Sequence, residues 1–187
     1  MPGLRVISGT AKGRKLKMVP GDGTRPIADR VKQAAFNIIG ADIEDAVFLD
    51  LFAGTGSVGI EALSRGAGRA VFVESDRAAA KTIADNLALT RLADRGQIVR
   101  ADVFRFLDKP SHQAFDFIWI APPQYAELWS RVVRALDARP DWLHPDGLAI
   151  AQIHPVEYIE IDLNHLRLLE IRKYGSTQLC FYEKPGD

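Results

Sequence analysis

From residue 46 onward the chain alternates short apolar runs with amphipathic ones, and that alternation limits the folds open to it more than any other feature. AVFLDLF, RAVFVES, QIVRAD, DFIWIA and GLAIAQI read as buried strands, while SVGIEALSR, AAAKTIADNLAL and YAELWSRVVRALD carry apolar residues at helical spacing. Repeated strand, helix, strand units need a crossover after each strand, so the strands lie parallel and helices cover both faces of the sheet. The end of the chain breaks the pattern. LRLLEIRKYGSTQLCFYEK holds two strands joined at Tyr174 to Ser176, an antiparallel hairpin. The expected fold is α/β and Rossmann-like, a mostly parallel sheet ending in an antiparallel C-terminal hairpin.

In an open parallel sheet, ligands bind beyond the carboxyl ends of the strands, where the strand order reverses. The first strand runs into FAGTGSVGIE, in which Gly54 and Gly56 allow a sharp turn whose backbone N–H groups can approach a ligand. Gly54, Gly56 and Gly59 spell G-x-G-x-x-G, and Glu74 follows 20 residues after Gly54, which is also the spacing of a dinucleotide site. Asp50 weighs against that reading. An acid so close to the turn sits poorly beside a pyrophosphate but suits the ammonium of S-adenosylmethionine, a ligand without phosphate. Glu74 can accept ribose hydroxyls, and Asp102, at the third strand tip, can reach an adenine amine or simply cap a helix. The candidate cofactor site is thus Asp50, Phe52, Ala53, Gly54, Thr55 and Gly56, with Glu74, Ser75, Asp102 and Val103 from the next two strand ends.

The 187 residues suffice for one well-buried core with an appendage. No apolar run approaches the ~18 to 20 residues of a membrane span, and no signal-peptide core is present, so a cytoplasmic protein is expected. The single cysteine, Cys180, reads as a buried thiol without a chemical role. His112, His144, His154 and His165 lack ligand spacing, so no metal site is expected; Trp119 and Trp129 read as core.

Net charge is zero but unevenly spread. Within residues 1–32, Arg5, Lys12, Arg14, Lys15, Lys17, Arg25, Arg30 and Lys32 face only Asp22 and Asp29. Such an arm fits either a polyanion such as RNA or a merely solvated tail. Residues 4–8 and 14–19 suggest a hairpin, with Leu16 and Met18 on one face and Lys15 and Lys17 on the other. Thr24 to Arg30 then leads into a helix over Ile27 to Ile39, with Val31, Ala34, Ala35, Ile38 and Ile39 at core spacing. Arg25 and Arg30 could clamp phosphate, or pair with Asp29.

Taken in order, RVISGTAKGRKL, TRPIADRVKQAAFNII, DLFAGTGSVGIEALSRGA and the terminal GSTQLCFYEK resemble the RsmD family of small-subunit (16S) ribosomal RNA guanine-N2 methyltransferases. The resemblance spans most of the chain. It implies a seven-stranded class I methyltransferase sheet, S-adenosylmethionine as methyl donor, and an RNA-facing N-terminal unit at residues 1–42 ahead of a cofactor-binding domain at 43–187. It also implies RNA contacts from Arg5, Lys12, Arg14, Lys15, Lys17, Arg25 and Arg30, with ribosomal RNA or an assembling small subunit as partner and a monomeric protein.

The fourth strand departs from the family. Its exit reads IWIAPPQY, where the family has Asp or Asn, two prolines and an aromatic residue. Acceptors aimed at an exocyclic amine localise its lone pair, and an aromatic ring stacks on the extruded base. Here Ala121 stands in the acid's place and Gln124 precedes Tyr125. The expected reaction site is Ala121, Pro122, Pro123, Gln124 and Tyr125, with main-chain carbonyls and the Gln124 amide replacing the acid. Three alternatives stay open: a rigid strand-to-helix turn with no chemistry, a cofactor- and RNA-binding protein without turnover, and a nucleotide-dependent oxidoreductase.

Overall fold

The first strand shows how apolar runs become a two-faced sheet. In β1 (Val47–Leu51), Leu49 and Leu51 join one buried cluster and Phe48 the other, as alternation of side chains along a strand requires. The computed structural model describes residues 3–21 and 26–186. After α1 (Asp29–Ile39) and β1 come α2 (Ser57–Ser64), β2 (Arg69–Glu74), α3 (Arg77–Thr90), β3 (Gly96–Arg100), α4 (Val103–Leu107), β4 (Phe115–Ile120), α5 (Leu128–Ala138) and β5 (Leu143–Ile153). The hairpin of β6 (Arg167–Tyr174) and β7 (Thr177–Glu183) ends the fold.

The seven strands form one sheet in the order β3-β2-β1-β4-β5-β7-β6. β1 to β5 run parallel, and β7 pairs antiparallel with both β5 and β6. The order reverses between β1 and β4, so the crevice for a ligand opens at their carboxyl ends. α1, α2 and α3 cover one face, packing Phe36, Ile60 and Ile83 on Phe48, Phe72 and Trp119; α4 and α5 cover the other with Leu107, Trp129 and Val133. Trp119, Trp129 and Cys180 are buried as expected, and burial pushes the Cys180 thiol above its ordinary pKa. Among the described residues no helix is long and apolar enough to cross a membrane.

The N-terminal segment forms the expected hairpin in minimal form. One antiparallel bridge joins Arg5 to Lys15, with Val6 N–H on the Arg14 carbonyl at 2.9 Å and Leu16 N–H on the Leu4 carbonyl at 2.8 Å, and neither side extends into a strand. Other amides of the segment go to the neighbouring helices. Ile7 and Ser8 donate to the Glu61 carboxylate, Ala11 to Ser64 Oγ and Lys17 to Asn86 Oδ1, so side chains of α2 and α3 hold the hairpin against the core. Leu4, Val6, Ala11 and Leu16 enter the same cluster as α1 to α3, whereas Met18, expected beside Leu16, is exposed.

Within α1 the buried positions are Val31, Lys32, Ala35, Phe36 and Ile39; Ile38 is exposed and Ala34 only half-buried. The helix begins at Asp29 rather than Ile27, and the core face is rotated by one position because Phe36 fills the space against Phe48. Lys32 is fully buried, with Nζ donating to the Arg5 carbonyl at 2.8 Å and lying 3.6 Å from Glu61. Burial pulls its pKa below the ordinary value, and the Glu61 carboxylate opposes that pull. Arg65 completes the cluster at 2.9 Å from Glu61. Removing Glu61 would leave the buried Lys32 ammonium without its carboxylate, a cost of about 3–5 kcal/mol.

Candidate active site

The turn after β1 is built from backbone bonds and one acid on each side. Ala53 N–H reaches the Val73 carbonyl at 3.1 Å, Gly56 N–H reaches the Ala53 carbonyl at 2.8 Å, and Gly54 N–H reaches Glu74 Oε2 at 2.8 Å. Gly54 is left-handed (φ 58°), and a Cβ built there meets nothing within 4 Å, so the turn faces open space. Phe52 takes the same unfavourable region (φ 58°), strain of the kind that collects at functional sites. Gly59 serves packing instead: a Cβ there would lie 2.4 Å from the Phe72 ring.

Asp50 lies beneath this turn, 2% exposed, with Oδ2 accepting the Gly59 N–H at 3.0 Å. Burial pushes its carboxyl up to about 8, with Glu74 adding to the shift and the Gly59 bond opposing it. That bond also spends one of the free amides at the start of α2, and Thr55 Oγ1 accepts another from Ser57. These are amides on which a pyrophosphate would rest. Glu74 uses Oε1 for Asp76 N–H as well, leaving further lone pairs toward the open side. Ser75 is exposed beside it. Asp102 caps α4 through Arg105 N–H at 3.1 Å while staying exposed, and Val103 is buried behind it. Helix cap and ligand acceptor are compatible for Asp102.

Beyond β4 the residues Ala121 and Pro122 are half-buried, and Pro123, Gln124 and Tyr125 are exposed, Tyr125 at 66%. Among the described residues the carbonyls of Ala121 and Pro122 accept no hydrogen bond. Tyr125 and Glu127 both adopt left-handed backbone, at φ 62° and 54°. β1 and β4 are neighbours with Leu51 opposite Ile120, so the turn and this loop leave the sheet side by side.

The basic residues divide. Lys12, Arg14 and Lys15 are exposed and enter no ion pair among the described residues. Arg5 pairs with Asp29 at 2.9 Å and Lys17 with Asp85 at 3.3 Å. Arg30 is exposed at the start of α1, within 4.0 Å of where a Gly175 side chain would sit in the β6–β7 turn. Asp29 is therefore Arg5's partner, and Arg25 lies outside the described residues.

Several functional positions escaped the sequence reading. Asn86 is fully buried, and its amide donates to both the Thr55 carbonyl at 2.9 Å and the Lys17 carbonyl at 3.1 Å, so one side chain ties the basic arm to the glycine turn. Glu61 and Ser64 anchor the arm to α2. A signal was present: polar residues inside SVGIEALS, a helix buried at all eight positions, must find partners.

Residues 4–183 match the family described as Conserved hypothetical protein 95. The chain belongs to that family. YlbH of Bacillus subtilis is 37% identical over 185 residues, 98% of this chain and 100% of the relative. The "Ribosomal RNA small subunit methyltransferase D" of Haemophilus influenzae is 35% identical over 147 residues, 78% of this chain and 76% of that protein. Among solved structures, yhhF from Escherichia coli superposes with a TM-score of 0.86 at 29% identity across 100% of both chains. An RNA methyltransferase from Salinibacter ruber in complex with S-adenosyl-L-homocysteine shares the fold, with a TM-score of 0.65 at 16% identity over 87% of this chain and 95% of that one.

Proposed function

We propose that this chain is an S-adenosylmethionine-dependent ribosomal RNA methyltransferase whose acceptor is the exocyclic N2 of a guanine in small-subunit RNA. Asp50 carries the choice of cofactor. A buried carboxyl beneath the glycine turn suits an amino-acid ammonium, which favours its ionised form, and it occupies an α2 amide on which a pyrophosphate would rest, which counts against the oxidoreductase reading. The open space at Gly54 and the free lone pairs of Glu74 and Asp102 fit the rest of the ligand. The RNA class follows from relatives named for small-subunit ribosomal RNA methylation.

When bound, S-adenosylmethionine supplies a methyl group on a sulfonium, an electrophile strong enough to need no covalent enzyme intermediate. The protein's task is to orient the amine and hold its protons. The carbonyls of Ala121 and Pro122, which accept no bond among the described residues, can accept one amine proton and the Gln124 amide oxygen the other, in place of an acid at position 121. Tyr125, exposed, offers its ring to the base, and Pro122 and Pro123 fix the path of the chain between them. Lys12, Arg14, Lys15 and Arg30 supply phosphate contacts. Ala121 favours one second reading, binding of cofactor and RNA without turnover.

Calorimetric titration of the purified chain with S-adenosylmethionine and, separately, with NAD tests the cofactor. Saturable binding of the first alone is expected; binding of NAD in its place would defeat the proposal.

A further inference from the structure

The loop that follows β4 is held by a carboxylate from another strand. Glu157, in the helical turn Pro155–Glu157 past β5, accepts the Tyr125 N–H through Oε1 at 2.7 Å and the His154 N–H through Oε2 at 3.1 Å. Among the described residues, the bond to Glu157 is the one hydrogen bond that residues 122–126 make to the rest of the chain. It falls where support is needed. Left-handed backbone at Tyr125 and Glu127 is strained for residues with a side chain and persists only when the surroundings fix it.

The same carboxylate holds the backbone N–H of His154, whose ring is oriented from within that turn. His154 Nδ1 accepts the Val156 N–H at 3.2 Å, so a neutral imidazole carries its proton on Nε2 and has a set orientation. Its ring lies 6.0 Å from that of Tyr125, inclined by 41°. Two rings at the edge of the reaction site, one exposed and one half-buried, suit successive unpaired bases splayed from one another.

We propose that Glu157 is a positioning residue that sets Tyr125 and His154 as a two-ring platform, Tyr125 under the base to be methylated and His154 under a flanking base of the RNA. The platform rests on the methyltransferase reading. It explains how a loop without its acid keeps its geometry: the tether comes from the β5 exit.

The test compares the full chain with Glu157→Ala, Glu157→Gln, His154→Ala and His154→Phe, using naked small-subunit ribosomal RNA as substrate. Four readouts are taken: S-adenosylmethionine affinity, RNA affinity, amide hydrogen exchange at Tyr125, and kcat with KM. Glu157→Ala should speed exchange at Tyr125 and lower kcat/KM by roughly tenfold to a hundredfold, the scale of a misplaced reacting group, with cofactor affinity unchanged. Glu157→Gln keeps one acceptor oxygen and should fall between. His154→Ala should raise KM by about tenfold, the worth of one stacked base, with kcat unchanged, and His154→Phe should restore it. Wild-type exchange at Tyr125 in Glu157→Ala overturns the clamp, and a His154→Phe no better than His154→Ala overturns the platform. A wild-type chain that transfers no methyl sinks the methyltransferase reading instead, while exchange at Tyr125 and RNA affinity still decide on clamp and platform.

Discussion

The glycine turn after β1 and the proline loop after β4 leave the sheet as neighbours, yet they are held in opposite ways. Residues 53–56 bond to β2, to each other and to Asn86, over a buried acid. Among the described residues, 122–126 have one tether, from Glu157, and they expose their aromatic ring. A cofactor of fixed shape rewards a seat completed by the protein alone. A base must be turned out of its own structure, and the surface meeting it stays open toward the RNA. On the proposed function, the cofactor half is finished locally and the substrate half by its partner.

Substitutions in the two halves should therefore separate binding from turnover. The largest effect is expected for Gly54→Val, which places a branched side chain in the open space of the turn and in left-handed backbone. Cofactor affinity measured by calorimetry should fall by about a hundredfold or more, as for a pocket that has lost its shape complementarity, while RNA affinity is retained. Equal loss of both would erase the distinction between the halves.

Asp50 gives the next effect, through pH. Its carboxyl, raised from the ordinary 3.8 to about 8, keeps its proton in the folded chain where the unfolded chain has lost it. The folded state binds the extra proton, so this group's contribution to stability is complete below the ordinary value and is lost as pH rises toward 8. An ammonium ligand prefers the ionised form. Cofactor affinity should then weaken by about tenfold for each unit that pH falls below 8, and Asp50→Asn should bind weakly with that slope removed. A wild-type affinity independent of pH between 6 and 8 would place the ammonium elsewhere.

The smallest of the three is Gln124→Ala. Its amide is one of several acceptors offered to the amine, so kcat should drop by about tenfold, less than the loss of a sole preorganised group, with cofactor affinity intact. Unchanged turnover removes Gln124 from the mechanism.

The two halves also differed in how legible they were. The strands, the glycine turn and its acids are written in contiguous residues, and DLFAGTGSVGIE reads directly into β1, a turn and α2. What stayed hidden depends on pairs distant in sequence. Charge counting placed Lys32 in the basic arm, but Glu61 draws it into the core. Alternation in the arm suggested the hairpin that Arg5 and Lys15 bridge, but not that Glu61, Ser64 and Asn86, more than 50 residues on, take further amides of it. The five-residue α4 was too short for a periodic signal, and β5 starts at Leu143, ahead of GLAIAQI, because Leu143 pairs with Phe115 across a register shift. Glu157 sits in a polar turn where nothing local marks it as the tether of Tyr125.

The most direct test is mass analysis of small-subunit ribosomal RNA after incubation with the full chain and isotopically labelled S-adenosylmethionine. The account predicts one labelled methyl group, recovered after digestion as N2-methylguanosine. Cofactor binding without any label in the RNA, or label on another atom of another base, would contradict it.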